Sequence, residues 1–244
     1  MKVNKKYIGC NFTGHALIGG VASSYNGIFN KEEVLIGSGL DFVPCIMGDV
    51  SDAYEMLKEI ISKNNAQNFE DICVCIYQTV NTYFNGIKNI NKRMSYYKDL
   101  DDIETEDDIT RVSTLKGEGA AMCVERAMLA QNLLKLLNID SFYKTSCIER
   151  DGKLEIHAYN LVANNDKYYI FDSSIPTERN NQVSPLIGEI PKEVFSQMTS
   201  PEQKIGYSVH INHYNPFRNN YVDITYDAKR QDVYNIEESN IKAK

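Results

Sequence analysis

The chain has 244 residues, enough for one large domain or two small ones, and 43% of them are hydrophobic, so a sizeable core can be buried. A net charge of −7 and a pI near 5.2 count against nucleic acid or an anionic membrane as the main partner, because phosphate binding rests on Lys and Arg. No run approaches the roughly 18 apolar residues of a membrane-spanning helix. The basic start at Met1 leads into no apolar signal core, so the expectation is a cytoplasmic protein, or one exported without a signal.

In chain order, residues 1–45 read as β-rich and loop-rich, with short apolar runs at Tyr7–Phe12, Ala16–Ala22 and Glu33–Ile36 broken by Gly and Asn. Ser51 or Asp52 is expected to cap a helix that runs to about Lys63. The spacing of Phe69, Ile72, Cys73, Ile76, Val80, Tyr83, Phe84 and Ile87 predicts a second helix over 69–89. The acidic stretch 98–110 reads as a solvated loop. No repeat and no Pro- or Ser-rich linker divides the chain. Residues 1–100 are therefore expected to be an N-terminal α/β elaboration of the same domain as a core over 101–244.

The pattern sharpens from Gly117 and Gly119 onward. Cys123, Ala127, Ala130, Leu134 and Leu137 form one helical stripe with Cys123 at its head, and Asn138 suits the left-handed position after it. Three strands follow: Ser141–Glu149, Leu154–Val162 and Lys167–Asp172. The first two are joined by an Asp151-Gly152 turn, the last two by a polar turn around Asn164 and Asn165. Apolar runs at Tyr207–Ile211 and Tyr221–Tyr226, either side of an Asn215-Pro216 turn, extend the sheet. Helix and antiparallel strands together give an α+β fold.

Six cysteines (Cys10, Cys45, Cys73, Cys75, Cys123 and Cys147) read as reduced thiols. Cys73 and Cys75, one residue apart, fit neither CxxC redox chemistry nor a zinc knuckle. His210 and His213 fall on opposite faces of a strand, so no metal site is expected, and no cofactor motif is present. Cys123 stands apart because a helix N-terminus or a nearby imidazolium lowers a thiol pKa from about 8.5 toward roughly 3.5–7.5. His157 lies mid-strand, with Asp172 fifteen residues on. A register pairing Val162 with Lys167, with 163–166 as a four-residue loop, sets His157 directly opposite Asp172. That carboxylate can orient the imidazole and leave its other nitrogen for the thiol.

The stretch Gly119-Ala120-Ala121-Met122-Cys123-Val124-Glu125-Arg126-Ala127, then Leu133-Leu134-Lys135-Leu136-Leu137-Asn138-Ile139-Asp140, His157-Ala158-Tyr159-Asn160-Leu161-Val162 and Tyr169-Ile170-Phe171-Asp172, resembles the transglutaminase-like core of the papain-fold superfamily. The resemblance covers about 110–180. It implies a papain-like core in which the Cys helix packs on an antiparallel sheet. It also implies roles: Cys123 as nucleophile, His157 as general base and acid, and Asp172 as the orienting carboxylate. The family often has Gly two residues before the Cys and Trp just after it; here Ala121 and Val124 stand there, and the chain has no Trp.

The expected function is thiol-dependent acyl transfer on an amide bond through a thioester, as a peptidase, glutamine deamidase or amidase, or an amide-forming transglutaminase. Hydrolysis is the default, since water is always present. The expected substrate is a protein, a peptide or a small amide. An arylamine N-acetyltransferase uses Cys, His and Asp in the same order, but its Arg-Gly-Gly stretch is here Gly119-Ala120-Ala121. A non-catalytic binding or scaffold protein on the same fold is the third reading. The Asn- and Lys-rich composition suggests a bacterial source.

Overall fold

Turn chemistry sets the main sheet. The computed structural model describes residues 16–18, 23–29, 34–38, 43–86, 89–98, 106–200 and 208–227. Four long strands, β6 (Asp140–Arg150), β7 (Lys153–Asn164), β8 (Lys167–Arg179) and β9 (Gln182–Ile190), form an antiparallel meander. They follow β1 (Ala16–Ile18), β2 (Ser23–Tyr25), β3 (Val34–Ser38), β4 (Val43–Ile46) and β5 (Thr110–Arg111) in the chain. Each meander connection is two residues long: Asp151-Gly152, Asn165-Asp166 and Asn180-Asn181, all at positive φ. Two consecutive left-handed residues make the hairpin turn that matches strand twist, and Gly, Asn and Asp adopt that conformation most readily.

The second of these turns corrects the expected register. Lys167 pairs with Asn164 rather than Val162, and Val162 faces Tyr169. Because Asn165 and Asp166 close the chain in two residues, the anticipated four-residue loop is absent and the pairing slides by two. A slip of two preserves side-chain parity. The β7–β8 ladder ends at Asn160–Phe171, so His157 and Asp172 project from the place where the two strands part.

The sheet is completed by β10 (Val209–Asn215) and β11 (Asn220–Tyr226), in the order β10-β11-β6-β7-β8-β9. One edge of β6 is shared: β11 pairs with Ile148–Arg150, and β2 pairs with Tyr143–Thr145. A second, smaller sheet runs β1-β3-β4-β5. A strand from the first 100 residues is thus built into the main sheet.

Helices α1 (Ser51–Asn64), α2 (Phe69–Tyr83), α3 (Ile90–Met94), α4 (Cys123–Leu136) and α5 (Lys192–Thr199) complete the described elements, a mixed α and β architecture around a large antiparallel sheet. Val50, not Ser51 or Asp52, is the N-cap of α1, and no side chain caps it. Asn68 caps α2 by accepting from Asp71 N–H at 2.8 Å. That helix stops at Tyr83 rather than near 89, because Asn85 and Gly86 both turn to positive φ. Within the acidic stretch, Glu106–Asp108 forms a 3-10 turn and Thr110–Arg111 a short strand, while 99–105 lie outside the described residues. The Tyr7–Phe12 run and Cys10 also lie outside them, as does Tyr207.

α4 is more deeply enclosed than a single stripe suggests: every residue from Val124 to Leu134 is buried. Its apolar residues share one core cluster with α1, α2 and the Tyr143, Ala158, Val162 and Phe171 side of the sheet. Tyr159, Leu161 and Ile170, on the opposite side, pack with Phe195 and Met198 of α5 and with Val222, Ile224 and Tyr226 of β11. Asn138 ends α4 in the left-handed conformation. Among the described residues, no helix is long and apolar enough to cross a membrane.

Candidate active site

Cys123 is the first residue of α4, where backbone N–H groups lack intrahelical acceptors and the helix dipole favours negative charge. The preceding Met122 cannot cap the helix. Glu125 compensates by reaching back: its Oε2 accepts from Met122 N–H at 2.8 Å. Its Oε1 accepts from Arg93 Nε at 2.9 Å, from Arg93 Nη2 at 2.7 Å and from the Tyr97 hydroxyl. Burial pushes the Glu125 carboxyl up, but the Arg93 charge and these donors outweigh it and hold the group below its ordinary range. The helix head is thereby anchored from beneath by a buried ion.

The other end of α4's attachment is polar too. Asn160 on β7 donates to Ala127 C=O at 3.1 Å and to Gln131 Oε1 at 3.3 Å, and Gln131 Nε2 donates to Ser141 C=O at 3.0 Å. These bonds fix the helix on β6 and β7 and so fix where its first residue sits.

His157 Nε2 lies 2.7 Å from Asp172 Oδ2. Asp172 is fully enclosed, and both its oxygens accept further hydrogen bonds: Ser174 N–H donates to Oδ1 at 2.8 Å and the Tyr226 hydroxyl to Oδ2 at 2.9 Å. Burial raises the Asp172 carboxyl, but the His157 charge and these donors lower it below its usual value. With Nε2 engaged, Nδ1 is the nitrogen left for Cys123, and the thiol and imidazole are hydrogen-bonded. Ala158 N–H also donates to the sulfur.

These contacts decide the protonation state. Burial pushes the Cys123 thiol up, yet the His157 charge, its hydrogen bond and the Ala158 N–H hold it below its ordinary value. Burial pushes His157 down, yet Asp172 and then Cys123 raise it to about 10. Both shifts favour a thiolate–imidazolium pair. The contrast within the chain is sharp: Cys45, Cys73 and Cys75 are all pushed up by burial. Cys123 is also only partly buried as a residue, whereas Cys45, Cys73, Cys75 and Cys147 are buried.

The structure therefore brings Cys123, His157 and Asp172 together in one hydrogen-bonded line. His210 and His213 are not hydrogen-bonded into it: His210 is exposed beside Asp223 and Thr225, and His213 is buried, where burial pushes its imidazole down against the opposing pull of the Asp172 charge. Among the described residues, no three His, Cys, Asp or Glu side chains cluster as metal ligands. Sequence reasoning missed Tyr226, Arg93 and Tyr97. It also missed Glu125, although an acid three residues after a helix start is a capping signal. Tyr226, 54 residues beyond Asp172, carries no local signal at all. No known family model matches the chain, and no curated protein matches it.

Proposed function

We propose that the protein is a thiol-dependent acyl-transfer enzyme acting on an amide bond, with a transglutaminase-like, papain-fold core over 101–244. The observation that carries this reading is the line from a helix-head Cys123 through His157 to a buried Asp172 that accepts three hydrogen bonds. Cys123 thiolate attacks the amide carbonyl, and first-turn N–H groups of α4 stabilise the oxyanion. The His157 imidazolium gives its Nδ1 proton to the leaving amine as the C–N bond breaks, which leaves a thioester and a neutral imidazole. His157 then takes a proton from water, hydroxide adds to the thioester, and the carboxylic acid leaves as the thiolate returns. Hydrolysis or deamidation is the default outcome, and an amine in place of water gives a new amide. Asp172 holds the tautomer with the proton on Nε2 and stabilises the imidazolium without itself taking a proton.

The test is alkylation at pH 6. Iodoacetamide should label Cys123 stoichiometrically before the other cysteines, read by peptide mass mapping. Labelling no faster than at Cys45, Cys73 and Cys75 would show that the thiolate is missing and would favour a non-catalytic scaffold.

A further inference from the structure

One cavity stands next to this line of residues. It has a volume of about 370 Å³ and is lined by Tyr77 and Asn81 of α2, by Ser173 and Ser174 of β8, and by Phe217 of the β10–β11 turn, among others. Ser173 and Ser174 follow Asp172 directly. Asn81 accepts from Arg126 Nη1 at 2.6 Å, and Arg126 lies three residues after Cys123, on the neighbouring turn of α4. The cavity wall is thus tied through Asn81 and Arg126 to the helix that Cys123 heads.

Its lining is biased toward donors. Arg126 can only donate, so the Asn81 amide must present its oxygen to Arg126 and its NH₂ elsewhere. That NH₂ donates to the Tyr77 hydroxyl oxygen, which leaves the phenolic hydrogen to point onward. Ser173 Oγ, on a residue only 2% exposed, has no partner. Each of these groups has a hydrogen to offer.

Charge points the same way. Arg126 is fully buried, its Nη2 has no partner, and among the described residues no carboxylate pairs with it, since the neighbouring Glu125 is taken by Arg93. In the free site two anions, the Cys123 thiolate and Asp172, face two cations, His157 and Arg126. Acylation removes the thiolate charge and, with the proton given to the leaving amine, the His157 charge as well, while Arg126 stays a buried cation with no carboxylate paired to it among the described residues. A buried cation without a counter-ion is costly, and an anion in the adjoining cavity offsets it.

We propose that this cavity is a carboxylate-binding subsite, so that the substrate carries a free carboxylate a few carbons from the amide attacked by Cys123. The substrate part of this assignment rests on the acyl-transfer reading. The carboxylate accepts from Ser173, Tyr77 and the Asn81 amide with Arg126 behind them, and Phe217, 74% exposed at the rim, packs on the methylenes between.

The probe is glutarate, with glutaramide as its uncharged counterpart. Binding is measured by titration calorimetry on the full-length Cys123→Ala protein, where no thiol chemistry is possible. Glutarate should bind, and glutaramide should bind at least about tenfold more weakly. Adding Ser173→Ala, a small change that removes one donor, should weaken glutarate about tenfold. The proposal is overturned if glutarate gives no binding, if glutaramide binds as tightly, or if Ser173→Ala binds glutarate unchanged. Because Cys123 is absent from this experiment, such a failure leaves the pH 6 labelling result standing. A failed labelling result in turn leaves the subsite standing.

Discussion

Asp172→Asn should slow alkylation of Cys123 at pH 6 by on the order of 100-fold, and turnover by about 10⁴-fold once a substrate is in hand. Asp172 is a pure acceptor that takes His157, Ser174 N–H and the Tyr226 hydroxyl. An Asn there keeps one acceptor oxygen, which Ser174 N–H can retain, but turns an NH₂ toward His157 Nε2. The imidazole then accepts at Nε2 and carries its proton on Nδ1 while neutral. It faces the sulfur as a donor without charge and can no longer hold a thiolate or take a proton from water. The fold should survive with a loss of about 1–3 kcal/mol, because the new amide can still pair with its neighbours. A variant that labels at the wild-type rate would remove Asp172 from the mechanism.

The largest stability effect is expected beneath the helix head. Arg93→Met strips Glu125 of its cation and two of its donors while the carboxylate stays buried, and should cost about 3–5 kcal/mol in urea unfolding. Glu125→Met, which orphans Arg93, should cost a similar amount. The double variant should lose less than the two singles added together, because neither ion is left alone. Additive losses would show that the two residues do not act as a pair. The same carboxylates give the acid response its sign. Glu125 and Asp172 both sit below their unfolded values, so the stability they contribute is complete above the ordinary carboxylate range. It is lost as pH falls through their folded values. Arg93→Met should flatten that acid limb as well as lower the plateau.

What the amino-acid sequence revealed was local. The Asp151-Gly152 turn, the left-handed Asn138 and the alternation along β7 are short-range signals, and the observed hairpin and helix end agree with them. The β7–β8 register was legible only to its parity. Choosing between a two- and a four-residue loop requires the φ values of Asn165 and Asp166, which composition leaves open. Helix α2 was overextended because Ile87 continues the apolar period past a Gly that breaks it. The departures at Ala121 and Val124 proved compatible with the Cys–His contact, and Ala121 C=O accepts from Arg126 Nε at 3.2 Å. The ion under Met122 and the Tyr226 hydroxyl on Asp172 could not be read, since both join residues distant in the chain through contacts that have no spacing rule.

The meander has a kinetic consequence. β6 to β9 are linked by two-residue turns, so their contacts are close in sequence, and such pairings form early and quickly. His157 and Asp172 both belong to that segment. α4 and β11 must dock on it from either side along the chain, bringing Cys123 and Tyr226 with them. The thiolate is therefore a late product of folding. A nascent chain carries an ordinary, weakly reactive thiol, and pulse alkylation of Cys123 during refolding should rise only with the last docking step. Reactivity at one sulfur would then report completion of the whole fold.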